Sequence, residues 1–433
     1  MLKNNILKYL GLASLALSLQ AQEIYTVDDL IIKSLEKSPN LKISKLQYEA
    51  SQSRYDAAFS GYLPEVNLHA SAGRVSQDGT FGQPSVEDNM IVGQLSLKQV
   101  IYDFGKTGGT SDTQKFIADS YSMEDLQNLS DKQRDVKNAY YEVLKASALI
   151  DVQKENVKLN EAQLYRSKKY FEAGIRTKID VSDAEVKLIQ AKLNLKTAEY
   201  DLKSAYAELD RVVGFTALEQ EYTVYIAQLK LDALYESLHQ YTLTLKESIL
   251  FAYENRYELK RQQALIESTH SDIRSVSAEY YPSIYLSGDY IYQNAQTDEL
   301  QLYLPQTQWN ANLNIDWNIY AGGYTSSRKQ EKVINSNISN SNLLETKLII
   351  KKSTTNAYIN VNRTKDTVEL AQSLVAVSNE KFDQASKRYE NGLSDYIELQ
   401  EARQDYIDSK ATLVVDYYDY YTAIADLDNA IGK

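Results

Sequence analysis

The sequence predicts a mainly α-helical protein with a small β part. It is built as a tandem-duplicated unit of long antiparallel coiled-coil helices, each carrying two β-strands. Three observations predict this: landmarks recur at one fixed spacing, Pro and Gly are missing from two very long stretches, and apolar residues follow two different periods in different places.

Met1–Lys8 is short and basic, Tyr9–Leu19 is apolar and small, and Leu19-Gln20-Ala21 precedes Gln22. That order reads as a secretory signal peptide over residues 1–21. The apolar run is too short to span a bilayer, which takes about 20 residues as a helix. Removing Lys3 and Lys8 takes the net charge from −12 to −14. Such an acidic chain lacks the electrostatic footprint of nucleic-acid binding. It has no Cys and only three His (His69, His239 and His270), so thiolate metal sites and His-based centres are not expected. No Gly-rich phosphate loop and no nucleophile–base arrangement stands out. The reading is therefore not an enzyme, with no catalytic residues, no cofactor and no metal.

Pro64 and Pro282, Gly105 and Gly323, Gly174 and Gly392, and Gly214 and Gly432 are each 218 positions apart. Their neighbours match as well: Phe171-Glu172-Ala173-Gly174 recurs as Tyr389-Glu390-Asn391-Gly392. One long period without net insertion reads as duplication rather than as an array of short repeats. The first repeat spans 22–214, a linker 215–245, and the second repeat 246–433.

Within each repeat the first elements after a leading helix are strands. Trp309, Ala311, Leu313, Ile315, Trp317 and Ile319 alternate with Asn310, Asn312, Asn314, Asp316 and Asn318. A period of two sends these sets to opposite faces. Strands are expected at about 65–75, 90–102, 283–293 and 308–320. A membrane β-barrel and a soluble sheet with one face on a core both fit the local pattern. Four strands cannot close a barrel with a useful lumen, so a barrel would have to be shared by several chains.

Helical hairpins follow, at about 106–213 with its tip at 174–180, and at about 325–431 with its tip at 392–398. Residues 110–173 contain no Pro or Gly and can run as one helix of roughly 95 Å. Leu129, Val136, Val143, Ile150, Val157, Leu164 and Phe171 recur every seven residues. So do Val181, Leu188, Leu195, Leu202 and Leu209, and in the second repeat Val361, Val368, Val375, Phe382 and Tyr389, then Leu399, Tyr406, Leu413, Tyr420 and Leu427. This period of 3.5 supports supercoiled helix packing. Gly174 and Gly392 fall where a helix C-cap is needed. Just beyond, Asp180 and Asp183, and Glu398 and Glu401, are i, i+3 pairs that share a helical face.

With the duplication, the strand pairs, the hairpins and the two turn signatures Phe171–Val181 and Tyr389–Leu399 in place, the chain resembles the TolC family of outer-membrane efflux proteins. The resemblance covers nearly the whole mature chain. It implies a homotrimer in the Gram-negative outer membrane, with a 12-stranded β-barrel continued by a periplasmic α-helical barrel. It implies a passive exit channel of a tripartite efflux or type I secretion system. Its partners would be outer-membrane lipid, a periplasmic adaptor (membrane fusion protein) and an inner-membrane transporter of the RND, ABC or MFS type.

By resemblance, Glu398 and Glu401, with Asp180 and Asp183, belong to the periplasmic constriction. Gly174, Gly392, Arg176 and Ser394 form the tip turns where an adaptor docks. Asp180 and Tyr389 match gate-latch positions, but Ser394 stands where relatives carry the latch Arg, and Arg176 is the candidate substitute. Trp309, Leu313, Ile315 and Trp317 are the lipid-facing strand residues. The alternative function is a periplasmic adaptor or a helical scaffold; a single hairpin per chain and no lipid-facing strands would mark the adaptor, against which the duplication and the alternating strand at 309–320 argue, and membrane fractionation separates the scaffold.

Overall fold

A computed structural model describes residues 23–77, 85–216, 222–225, 234–296 and 305–433. The expected signal peptide lies outside them, as do Pro84 and parts of the 215–245 linker. In chain order the elements are β1 (Glu23–Tyr25), α1 (Val27–Lys37), α2 (Pro39–Phe59), β2 (Glu65–Gln77), β3 (Val86–Tyr102), α3 (Lys106–Glu172) and α4 (Lys178–Val213). They continue with β4 (Tyr222–Val224), α5 (Leu245–Asn255), α6 (Tyr257–Ser277), β5 (Ser283–Ala295), β6 (Thr307–Asp316), α7 (Tyr324–Glu390) and α8 (Tyr396–Ile431). The predominance of helix with few strands agrees with the expected fold class.

The chain packs as two compact units. One is formed by residues up to Lys37, Asp135–Ser237 and Val368–Asp419, and the other by Ser38–Arg134, Leu238–Thr367 and Tyr420–Lys433. Each unit draws on both repeats, so duplication and compaction follow different boundaries.

The second of these units holds a four-stranded antiparallel sheet in the order β2-β3-β5-β6. Its strands pass directly into helices through tight turns. After β3, Asp103 turns its carboxylate onto the backbone N–H groups of Gly105 (3.1 Å) and Thr107 (2.7 Å), satisfying donors at the start of α3. Phe104 adopts a positive φ of 55°, which costs a non-glycine residue about 1 kcal/mol or more. Two ring contacts hold it there: Tyr281 stacks at 5.0 Å and Tyr102 meets it edge-on at 4.7 Å. The equivalent position in the second repeat is Gly322, at φ 61°. Further along, Gly109 lets α3 approach α6 closely, since a Cβ there would lie 2.5 Å from the backbone nitrogen of Ser275.

In the first unit, β1 pairs in parallel with β4, and Tyr25, Tyr206 and Phe215 gather around Tyr222 with ring centroids 5.4–5.8 Å apart. On α4, Val181, Leu188, Leu195, Leu202 and Leu209 alternate with Ala184, Ala191, Ala198 and Ala205, a large–small seam at the 3-4 spacing of coiled coils. Charge-assisted ties join the helices of this unit: Lys410 donates to Glu155 at 2.5 Å and Lys381 to Asp405 at 2.6 Å.

Three expectations need correction. β6 stops at Asp316, so Trp317 and Ile319 are not strand residues. The register pairs Asp316 with Ser283, and Pro282 before it has no N–H to extend the ladder. The leading helices are each broken: α1 and α2 part at Ser38-Pro39, where Pro takes the first turn of α2, and α5 and α6 part at Arg256. Towards the end of α3 the heptad positions Val157 and Phe171 do not form the buried row, although Leu164 still packs against the core of the hairpin ends. Asn156, Asn160, Gln163 and Ser167 are at most 7% exposed, whereas Phe171 is 46% exposed. A search for apolar residues alone selects the neighbouring row when the inward row is polar.

The strained Phe104 turn yields a test. Phe104→Ala keeps the backbone penalty and loses both ring contacts; Phe104→Gly loses the contacts but relieves the penalty. Phe104→Gly is expected to be more stable than Phe104→Ala by about 1 kcal/mol, measured by denaturant titration of the detergent-solubilised protein.

Candidate functional site

Two regions carry the residues singled out in the sequence, one in each unit. The first is the pair of hairpin turns. Gly174 and Gly392 both have φ near +70° and close the same six-residue C-cap. Ile175 N–H donates to Tyr170 O at 2.9 Å, and Leu393 N–H to Arg388 O at 2.8 Å. The turns project apolar residues outward: Ile175 and Ile179 in one, Leu393 and Ile397 in the other, all exposed. These pairs are again 218 positions apart.

The carboxylates divide by what they touch. Asp180 is bound within its own turn: its Oδ2 accepts from Thr177 N–H (2.9 Å) and from the Thr177 hydroxyl (3.0 Å). That is the reciprocal half of a capping box at the start of α4. In the second turn Asp395 takes the cap position and accepts from Glu398 N–H at 2.9 Å. The Glu398 carboxylate pairs with Arg388 at 3.1 Å. Asp183 and Glu401 are exposed, and among the described residues neither has an ion-pair partner within 4 Å. The sequence already contained the signal for the caps, in Thr177-x-x-Asp180 and Asp395-x-x-Glu398, which the reading above passed over.

The structure brings Arg176, Tyr389 and Ser394 together. Arg176 Nη2 donates to Ser394 O at 3.3 Å, and its guanidinium lies over the Tyr389 ring at 5.0 Å. A second first-repeat arginine, Arg166, donates to Glu390 at 2.6 Å. Two arginines from the first hairpin thus hold the end of the second within one chain. Tyr389 and Tyr396 are buried beside each other, with ring centroids 6.3 Å apart. Burial raises the Tyr389 hydroxyl pKa and pushes that of Tyr396 up to about 12, so both stay protonated at neutral pH. They pack with Ala184, Ala385, Leu399 and Ala402 in a small core at the hairpin ends.

The second region is the sheet, and its register sorts the two faces. One row across it reads Leu68–Leu95–Tyr290–Trp309, and the next Val66–Leu97–Gly288–Ala311. On the other face the rows are Asn67–Ser96–Asp289–Asn310 and Glu65–Lys98–Ser287–Asn312. Cross-strand polar contacts lace that face, including Gln94 to Asp289 at 3.0 Å and Asn314 to Ser287 at 2.8 Å. On the apolar face Leu68 is 77%, Trp309 76%, Leu313 68% and Ile315 65% exposed. Trp317 is also exposed but lies past the strand, its indole N–H donating to Tyr280 O at 3.1 Å.

The capping contacts of Asp180 are testable on their own. Asp180→Ala leaves two donors of the turn without an acceptor. Loss of about 1 kcal/mol of local stability is expected, read as an approximately fivefold faster amide exchange over residues 178–182.

The sequence profile of the family described as "Outer membrane efflux protein" matches residues 30–215 and 251–433, one stretch per repeat. The outer membrane protein TolC of Vibrio cholerae serotype O1 is 21% identical over 401 residues, covering 92% of this chain and 88% of that protein. Among solved structures, CusC, described as forming a transmembrane channel, superposes with a TM-score of 0.82 at 15% identity, over 94% of this chain and 92% of the other. The outer membrane protein VceC of Vibrio cholerae gives 0.78 at 15% identity, over 94% and 96%. With both repeats matched and the fold shared along nearly its whole length, this chain belongs to the outer membrane efflux protein family.

Proposed function

We infer that the chain is the outer-membrane exit channel of an efflux or secretion system, conducting substrates passively out of the cell. The observation that carries this is the sheet with a bare apolar face and an Asn/Ser-rich opposite face. Against lipid on one side and water on the other, both faces are satisfied. The apolar rows run from Ile284–Ile315 to Ala72–Ile91, roughly 34 Å along the strands at ~6.8 Å per two residues. At a tilt of ~40° this is a band of about 26 Å, close to the ~25 Å of outer-membrane barrels.

Closure sets the number of copies. The edges β2 and β6 run in opposite directions, so copies can join head to tail as one antiparallel barrel. Two copies would give eight strands, whose interior side chains fill the lumen; three give twelve and leave a pore. A homotrimer is therefore the reading favoured here. The exposed apolar pairs Ile175/Ile179 and Leu393/Ile397 on the hairpin turns suit a periplasmic adaptor, through which an inner-membrane transporter supplies the energy. Gly174, Gly392, Arg176 and Ser394 shape those turns.

Of the four constriction acids, Asp183 and Glu401 are the free ones. Asp180 is spent on its cap and Glu398 on Arg388. A threefold ring of Glu401 carboxylates would favour cations and slow anions. In planar bilayers Glu401→Gln is expected to lower cation preference clearly more than Glu398→Gln does; equal effects would discard this assignment. For the function itself, heat-modifiable trimers extracted from outer membranes are expected, whereas release by osmotic shock would reject the channel reading in favour of a soluble scaffold.

A further inference from the structure

Arg403, on α8, is buried to 4% exposure inside the hairpin ends. Its guanidinium donates to Gln400 Oε1 and lies against the Tyr396 hydroxyl, both of them neutral partners. Among the described residues no carboxylate comes within 4 Å of it. Burial pulls its pKa down, and the nearby Arg166 acts in the same direction. A cation enclosed without a counter-charge is destabilising where it sits.

Its surroundings share this character. Gln163 Oε1, Ser394 Oγ and Gln400 Nε2 are buried with no hydrogen-bond partner among the described residues. Elsewhere in the same unit the core is built from Val136, Val143, Leu209, Val213, Leu413 and Val414. The hairpin ends thus enclose a cation and unmet polar atoms beside the small core of Leu399 and the alanines. Unmet buried groups regain their partners only when packing loosens and water or a carboxylate arrives.

We propose that Arg403 is a positioning residue for movement of the channel tip: enclosed without a carboxylate, it keeps the packed arrangement of the hairpin ends only marginally favourable. This rests on the channel reading above, with the addition that the packed hairpin ends loosen when substrate passes. A structural clamp would behave with the opposite sign, because removing it would loosen the ends.

Gln400→Glu supplies the missing charge at an atom that already touches the guanidinium. In the intact detergent-solubilised protein, amide exchange over residues 160–172 and 396–403 is expected to slow about tenfold, and the open fraction in planar bilayers to fall. Arg403→Met should act in the same direction, Arg403→Lys should retain wild-type exchange, and the Gln400→Glu/Arg403→Met double variant should lose the gain, its new carboxylate being stranded. Unchanged or faster exchange in Gln400→Glu overturns the proposal. Should Arg403→Met fail to fold, Gln400→Glu decides by the same sign. A wild-type protein that forms no channel would overturn the channel reading while leaving the exchange result to stand or fall separately.

Discussion

An apolar sheet face left open to its surroundings is the constraint on which the rest of the architecture depends. Leu68, Trp309, Leu313 and Ile315 cannot remain in water, and the opposite face, with Asn67, Ser96, Asp289 and Asn310, cannot be placed in lipid. Only a closed sheet at a lipid boundary meets both demands without exposing strand edges. In the channel reading, closure needs more than one copy, and the helices that leave the strands follow the ring the strands create. In both repeats the helix that follows the sheet starts just after residues of positive φ, Phe104-Gly105 and Gly322-Gly323.

At the hairpin ends local chemistry decides which charges remain available. A carboxylate three residues into a helix first meets the donors of its own turn, which is where Asp180 is engaged. Glu398 stands at the equivalent place and is taken by Arg388. The acids one turn further on, Asp183 and Glu401, are free of such ties and face solvent. Role follows from position relative to the cap, more than from the type of acid.

Much of this was legible in the residues. The absence of Pro and Gly from residues 110–173 marks a helix that runs from Lys106 to Glu172, and Gly174 and Gly392 mark its end and that of its counterpart, because the left-handed φ of the cap favours glycine. The heptads of α7 and α8 are buried where the apolar residues recur, at Val361, Val368, Leu413 and Leu427. The same method holds on α3 at Val136, Val143 and Ile150 but fails towards its end, where Asn156, Asn160, Gln163 and Ser167 take the inward row; hydrophobicity carries no information about a seam made of amides and hydroxyls. Trp317 continues the alternation perfectly yet lies outside β6, since a ladder depends on its partner strand and Pro282 ends that one. The approach of Arg176 to Ser394 and the enclosure of Arg403 join residues far apart in the chain, and no local pattern encodes them.

The two compact units each take segments from both halves of the duplication. A chain synthesised only as far as Gly214 therefore holds the complete set of pieces for neither. Its helices and strands lack their packing partners until the later half arrives, so a pause between the halves leaves apolar surface uncovered for longer than in a protein whose repeats fold one after another.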